Sequence, residues 1–293
     1  PNATKMQPLK SIAKSFLKML AKFQAKKKLQ QLRSFNVPAM DKIANAIDDV
    51  LNDNLSSEEK VWVDQIEELR SVLRANLTEI TVTDYGARSP KFNLTKEEMY
   101  EGVVKTTNVS SICRASNDRF WSLILFKIIR KFKPTTSIEL GTSLGISAAY
   151  QAAGHKINDK GNITTMEGAA SLASLSEKNL QKLGLDNTKV VCGSFQDNLE
   201  AVLNENKPID YAFIDGHHDE KATIAYFESF VPSLSNKAII VFDDISWTKG
   251  MRQAWDRIIE NENIKFSVDL RKIGICLMDS DMVKMRGFRI QLI

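Results

Sequence analysis

Pro134 divides this chain of 293 residues into two kinds of sequence. Beyond it, short apolar runs alternate with stretches of helical periodicity. The runs 137–140, 162–166, 189–192, 209–214 and 237–242 read as strands. Each is followed by a helical stretch, at 144–153, 170–183, 196–203, 220–230 and 251–260. Strands that alternate with helices in this way demand a mostly parallel, doubly wound sheet with helices on both faces, an α/β fold. The last two runs, 266–270 and 273–278, are separated only by Arg271 and Lys272. Two residues cannot carry a parallel crossover, so these strands must form an antiparallel hairpin.

The segment before Pro134 reads as mostly helical. Residues 9–32 place Ile12, Phe16, Met19, Leu20 and Phe23 on one stripe, and a lysine recurs every fourth residue on another face. Residues 1–40 hold eight lysines and Arg33 with no acid, so this segment carries +9, whereas the remaining 31 basic and 36 acidic residues leave the body at −5. The overall +4 therefore belongs to the first helix. Its stripe is expected to dock on the body or on a second subunit in a homo-oligomer; the other reading is a membrane surface or an acidic partner. The acidic body makes nucleic acid an unlikely ligand. Further along, 40–53 suggests a short helix. Ser56 with Glu59 forms a capping box for a helix to about Leu77, and Thr95 with Glu98 forms one for a helix to about Thr107. Asn117 is read as the cap of an apolar helix that ends at Lys133-Pro134. The expected units are a basic amphipathic helix (1–35), a helical N-terminal cap region (36–133) and a ligand-binding domain (134–293).

Cys113, Cys192 and Cys276 match no metal-ligand spacing and are expected to be reduced and buried. Neither a transmembrane run nor a secretory leader is legible, which gives a cytoplasmic expectation. His155 is expected at the surface.

The first β-α turn runs Ile138-Glu139-Leu140-Gly141-Thr142-Ser143-Leu144-Gly145-Ile146-Ser147. Ligands of open α/β sheets bind beyond the carboxyl ends of the strands, where this turn lies. Gly141 permits a sharp turn and Gly145 a helix that starts close to the strand. The third glycine of a dinucleotide fingerprint is missing, and Glu139 suits a cationic or amine-bearing ligand rather than a pyrophosphate. The second strand ends at Glu167, an acid able to accept hydrogen bonds from both ribose hydroxyls. The third ends in Cys192-Gly193-Ser194-Phe195, which suits the edge and face of an adenine.

In this order, the glycine loop with its acid, the second-strand acid, the fourth-strand Asp and the closing hairpin resemble class I S-adenosylmethionine-dependent methyltransferases over residues 115–280. The resemblance implies a Rossmann-like sheet with S-adenosylmethionine as cofactor. It would place Glu139, Gly141, Thr142, Ser143, Gly145 and Ser147 around the methionine part, Glu167 at the ribose, Ser194 and Phe195 at the adenine, and Asp215 and His217 near the cofactor. Arg114 and Ser116 would reach the cleft.

The fourth strand ends in Asp215-Gly216-His217-His218 and the fifth in Asp243-Asp244. Adjacent parallel strands bring these three carboxylates together. Their repulsion calls for a hard divalent cation such as Mg²⁺, which would bind a substrate hydroxyl and lower its pKa. The alternative is that one Asp caps a helix and another binds the cofactor. This set resembles metal-dependent small-molecule O-methyltransferases of the catechol and macrolide-sugar types, although the catechol type carries Asp-Asn where this chain has Asp243-Asp244. Asp215, Asp243 and Asp244 are thus the expected metal ligands, and Asp215, Asp243 and His218 the expected catalytic groups, with His218 as base. Trp247 is expected to wall an acceptor pocket. The resulting expectation is O-methylation of a small hydroxylated molecule. An NAD-type oxidoreductase and a non-catalytic cofactor-binding or assembly protein stand as alternatives.

Overall fold

The computed structural model describes residues 6–86 and 95–292. The basic helix α1 (Met6–Arg33) is followed by α2 (Pro38–Leu51), whose proline occupies the first turn, where its missing N–H costs nothing. Helix α1 docks through Ala25, Leu29 and Leu32, spaced four and three apart and all buried. Of the expected stripe, Met19, Leu20 and Phe23 do not dock on the body: they are 60%, 40% and 70% exposed. The helix meets the body through its C-terminal turns, so the hydrophobic spacing that matters begins after Phe23. The side chains of Ile12 and Phe16 lie outside the described residues.

Helix α3 (Ser57–Ala75) starts at the expected capping box, with Ser56 Oγ accepting from Glu59 N–H and Glu59 returning the bond. The second expected box also forms and opens α4 (Lys96–Glu101). That helix does not continue to Thr107. Gly102 stops it at φ +78, where a Cβ would stand 2.4 Å from Thr83 Cγ2. The β-branched run after it forms β2 (Val103–Asn108), antiparallel to β1 (Glu79–Asp84). The cap region therefore carries a two-stranded ribbon as well as helices. Then come α5 (Val109–Ala115) and the apolar α6 (Arg119–Phe132), ended by a left-handed Lys133 before Pro134.

The remaining elements alternate as expected: β3 (Thr136–Leu140), α7 (Ile146–Ile157), β4 (Asn162–Glu167), α8 (Ala170–Lys182), β5 (Thr188–Cys192), α9 (Phe195–Asn206), β6 (Ile209–Ile214), α10 (Glu220–Phe230), β7 (Leu234–Phe242), α11 (Lys249–Ile258), β8 (Phe266–Asp269), β9 (Gly274–Asp279) and β10 (Phe288–Arg289). The sheet order is β10-β8-β9-β7-β6-β3-β4-β5. Strands β3 to β7 are mutually parallel, and β9 runs antiparallel to both β7 and β8, so the hairpin closes the sheet as expected. The order reverses direction between β3 and β6, which makes the carboxyl ends of those strands the ligand crevice.

One sheet face shares its core with α2, α3, α6 and α7; the other packs under α9, α10 and α11. Each large apolar side chain buried there is worth ~1.5–3 kcal/mol. Strand β3 shows the period-two logic. Ile138 and Leu140 enter the second core, whereas Ser137 and Glu139 turn towards α7. There His155 Nε2 meets Ser137 Oγ at 2.9 Å, and Gln151 Nε2 donates to Glu139 Oε1 at 2.8 Å. Residues 151 and 155 lie one helical turn apart and face strand residues two apart, forming a buried polar seam. His155 is thus fully buried rather than at the surface. Its Nδ1 lies 3.0 Å from the Lys160 carbonyl, which can only accept, so the ring is a neutral Nδ1–H tautomer. Burial lowers its pKa to about 4. Cys113 and Cys276 are buried as expected, but Cys192, at the end of edge strand β5, is exposed. No described helix is long and apolar enough to cross a membrane.

Candidate active site

A cavity of about 600 Å³ opens at the carboxyl ends of β3, β4, β6 and β7, beneath the ribbon and α5. Gly141 and Ser143 from the first turn line it, as do Glu167, Ser194, Phe195, Asp215, His217, Asp243 and Asp244. Arg114 and Ser116 also reach it.

The cofactor-facing side is tied to the backbone. Ser143 N–H donates to Glu167 Oε2 at 2.7 Å and Ala169 N–H to Oε1 at 2.9 Å, so the carboxylate is aimed while each oxygen keeps a lone pair for a ligand. Burial raises the Glu167 pKa despite those donors. Gly141, at φ +99, permits the closest approach in the site: a Cβ there would stand 2.1 Å from the Asp215 carbonyl oxygen. Gly216 serves in the same way, since a Cβ would lie 2.5 Å from the Phe195 ring. That ring packs against His217 and Tyr226 at centroid distances of 5.7 and 5.6 Å, with Tyr226 Oη 2.8 Å from His217 Nδ1. Ser194 caps α9 and donates to Asp197 Oδ2 at 2.6 Å.

Four residues expected around the methionine part, Glu139, Thr142, Gly145 and Ser147, do not line the cavity. Glu139 is fully buried behind the loop, held by Gln151 and by Thr165 Oγ1 at 2.6 Å, and burial raises its pKa to about 7. Thr165 in turn meets Thr142 Oγ1 at 2.6 Å, so Glu139 supports the loop through Thr165. Gly145 caps α7 at φ +81.

At the other side, the carboxylates of Asp215, Asp243 and Asp244 do converge. Their neighbours are two residues that the sequence reading did not assign to the site. Lys272, in the β8–β9 turn, places Nζ 2.8 and 3.0 Å from the two oxygens of Asp243 and 2.7 Å from Asp244 Oδ1. Burial works against the ammonium, but Asp243 and Asp244 outweigh it and hold the lysine pKa above its ordinary value. Asn117 Nδ2 donates to Asp243 Oδ2 at 2.7 Å and reaches Asp215 Oδ2 at 3.4 Å. Asn117 is therefore not the cap of α6; Asp118 is, accepting from Phe120 and Trp121 N–H. Burial and then the Asp243 charge push the Asp215 carboxyl well above the usual range.

This arrangement does not suit a divalent ion. Both Asp243 oxygens and one of Asp244 already face an ammonium, and among the described residues no three His, Cys, Asp or Glu side chains are grouped to hold a metal. His218 does not line the cavity; its Nε2 stands 3.5 Å from Asp215 Oδ1, so it touches the site through that carboxylate. Trp247 is 52% exposed and lies outside the cavity. The aromatic walls are instead Tyr85 and Trp121. Tyr85 stacks over Gly168, where a Cβ would be 2.6 Å from its ring. Ser143, His217, His218 and Asp244 all have positive φ, a strained conformation for side-chain-bearing residues that gathers here around the crevice.

Residues 138–245 match the sequence family described as a methyltransferase domain. Among solved structures, cofactor-bound Rv0187 from MTB is 21% identical with a TM-score of 0.50, over 57% of this chain and 84% of that one. The SAH-bound Podospora anserina methyltransferase PaMTH1 is 17% identical with a TM-score of 0.53, over 74% of this chain and 88% of that one. An O-methyltransferase from Bacillus cereus in complex with SAH is 20% identical with a TM-score of 0.49, over 57% and 85%. No curated protein matches the sequence. Residues 138–245 are thus similar to a methyltransferase domain, and the chain shares the fold of these solved methyltransferase structures.

Proposed function

We propose that this chain is an S-adenosylmethionine-dependent O-methyltransferase acting on a small hydroxylated molecule. The observation that carries the proposal is the single cavity that joins Gly141, Ser143, Glu167 and Phe195 on one side to Asp215 and Asp243 on the other. The residues fit the cofactor. The Gly141–Asp215 contact leaves no room for a side chain, Glu167 is aimed by two backbone donors, and Phe195 offers an aromatic face beside Ser194. Bound there, S-adenosylmethionine supplies a methyl group already activated on a sulfonium. The protein's task is then mainly orientation and proton removal.

Glu167 holds the ribose hydroxyls, Phe195 and Ser194 the adenine, and the backbone at Gly141 and Ser143 the amino-acid end. Glu139, Thr142, Gly145 and Ser147 contribute by fixing that loop. Asp215, in the cavity, accepts the proton of the acceptor hydroxyl, and His218 beside it is the route by which that proton leaves. Asp243 is held by Lys272 and Asn117, so it shapes the field and takes no proton. Asn117 Oδ1 is buried with no partner among the described residues, which leaves it able to accept from a polar acceptor group.

Calorimetric titration separates this reading from an oxidoreductase: S-adenosylmethionine should bind and NAD should not. Tritiated methyl transfer to a panel of catechols and hydroxylated sugars then tests the acceptor class. NAD binding, or cofactor binding with no transfer to any hydroxyl, would sink the proposal. The +9 segment is assigned to docking on a partner or a second copy, since Met19, Leu20 and Phe23 stand exposed.

A further inference from the structure

Three carboxylates gathered in one crevice require a positive charge, and this chain supplies it from a side chain of its own, Lys272. Lys272 sits in the β8–β9 hairpin turn, and β9 runs antiparallel to β7 as well, with Gly274 opposite Phe242. That pairing brings the turn back to the carboxyl end of β7, where Ile245 N–H donates to the Lys272 carbonyl at 3.0 Å and anchors it. From there the ammonium spans Asp243 and Asp244 with charge-assisted bonds of 2.7–3.0 Å. The Asn117 amide fills the remaining side of Asp243 and touches Asp215. A divalent ion seeking the same oxygens would have to displace both groups.

We propose that Lys272 is the permanent cation of this site, standing where a divalent metal would otherwise stand and holding the acceptor oxygen while Asp215 takes its proton. The proposal rests on the methyltransferase reading above. It also narrows the acceptor. A hexacoordinate metal with open positions grips two neighbouring oxygens at once. An ammonium has three protons. With one shared across Asp243 and one given to Asp244, a single proton remains for a single oxygen. One hydroxyl on the acceptor therefore suffices, and a vicinal pair brings no advantage.

Manganese alone provides the test, because Mn²⁺ accepts the same oxygen ligands and is read directly by electron paramagnetic resonance. The full chain should leave added Mn²⁺ free. Lys272→Met keeps the apolar stem but removes the charge, and should bind Mn²⁺ at least about tenfold more tightly. Adding Asp243→Asn to that variant should abolish the gain, and Lys272→Arg should stay metal-free. A wild-type chain that binds Mn²⁺ and loses it on Asp243→Asn overturns the proposal. So does a Lys272→Met variant with unchanged melting and cofactor affinity that binds no more Mn²⁺ than the wild type. If Lys272→Met does not fold, the wild-type titration decides alone. Transfer rates should be unchanged by EDTA, and monohydroxylated acceptors should match their vicinal diol analogues; a preference for the diol that EDTA abolishes counts against Lys272. Failure to bind S-adenosylmethionine would remove the functional reading, yet the Mn²⁺ result would still report whether lysine fills the cation position.

Discussion

The two sides of the cavity are built by different means. On the cofactor side, Glu167 is held by backbone N–H groups two and 24 residues away, and a glycine supplies the close contact. On the acidic side, side chains hold side chains across 29, 98 and 126 residues. Backbone donors are fixed by the fold and carry no net charge. The acidic side is a balance of three carboxylates, one ammonium and one amide. Its geometry therefore depends on every member being present, since a buried charge left unpaired is costly. Substitutions should expose this difference: changes on the cofactor side should act on binding, and changes on the acidic side on rate.

The largest separation is expected from Asp215→Asn. The amide keeps the shape but cannot accept the proton, so turnover should fall about 1000-fold, the middle of the range for general-base removal. Cofactor affinity should stay within about threefold, below ~1 kcal/mol. Glu167→Gln should do the reverse, weakening S-adenosylmethionine while sparing the rate at saturation. Rapid-quench and calorimetric data on the pair would collapse the comparison if both variants lost affinity alike.

A change at the opposite end of β3 should strip both sides together. His155 has a pKa of about 4 when folded, below its ordinary ~6.5. The unfolded chain therefore binds the proton more readily. The contribution of neutral His155 is complete above pH ~6.5 and is lost as pH falls through about 4, for a total of about 3 kcal/mol. Urea melts between pH 7 and 4 should show this loss, and His155→Gln should flatten that part of the curve. An unaltered acid profile in the variant would mean that the seam beneath the loop does not carry the titration.

Gly141→Ala attacks a point where the two sides touch. The added methyl group meets the Asp215 carbonyl in a region of φ that alanine disfavours. Moving either strand end should cost about 100-fold in both cofactor affinity and rate, ~2.7 kcal/mol. A loss confined to one of the two would show that the loop and the Asp215 strand move independently.

What could be read in one dimension follows the same division. The alternation beyond Pro134 and the ordered glycine, Glu167 and Asp215 positions are local patterns, and the strands and helices stand where those patterns put them. Lys272 looked like mere hairpin turn. Only the antiparallel pairing of β9 with β7 carries it to Asp243, and the two-residue turn fixes the pairing of β8 with β9 but not which of the two lies beside β7. Asn117 and Asp118 are adjacent cap formers, and nothing local says which one caps; Asp118 takes the role and frees Asn117 for the crevice. Gly102 was the visible signal against a helix to Thr107. His155 was misplaced because a single histidine beside a glycine resembles a helix end, although it lies one turn beyond Gln151 on the face turned to β3.

Asn117 gives the finest test, because it links the acidic side to the cap. Arg70, nearly fully buried in α3, donates to the Asn117 carbonyl at 2.6 Å and to Glu67 at 2.8 Å, and Glu67 accepts from Tyr150 of α7 at 2.8 Å. The helix that follows the cofactor loop thus fixes the residue that separates Asp215 from Asp243. Asn117→Ala removes the amide and leaves those carboxylates facing each other. About a tenfold fall in turnover is expected, ~1.4 kcal/mol, with cofactor affinity and melting temperature nearly unchanged. Asn117→Asp should fall further, because it replaces a donor with a fourth carboxylate, and its rate should recover as pH is lowered. If Asn117→Ala instead lowers the melting temperature and spares the rate, Asn117 belongs to the packing of the cap, and the acidic side is held by Lys272 alone.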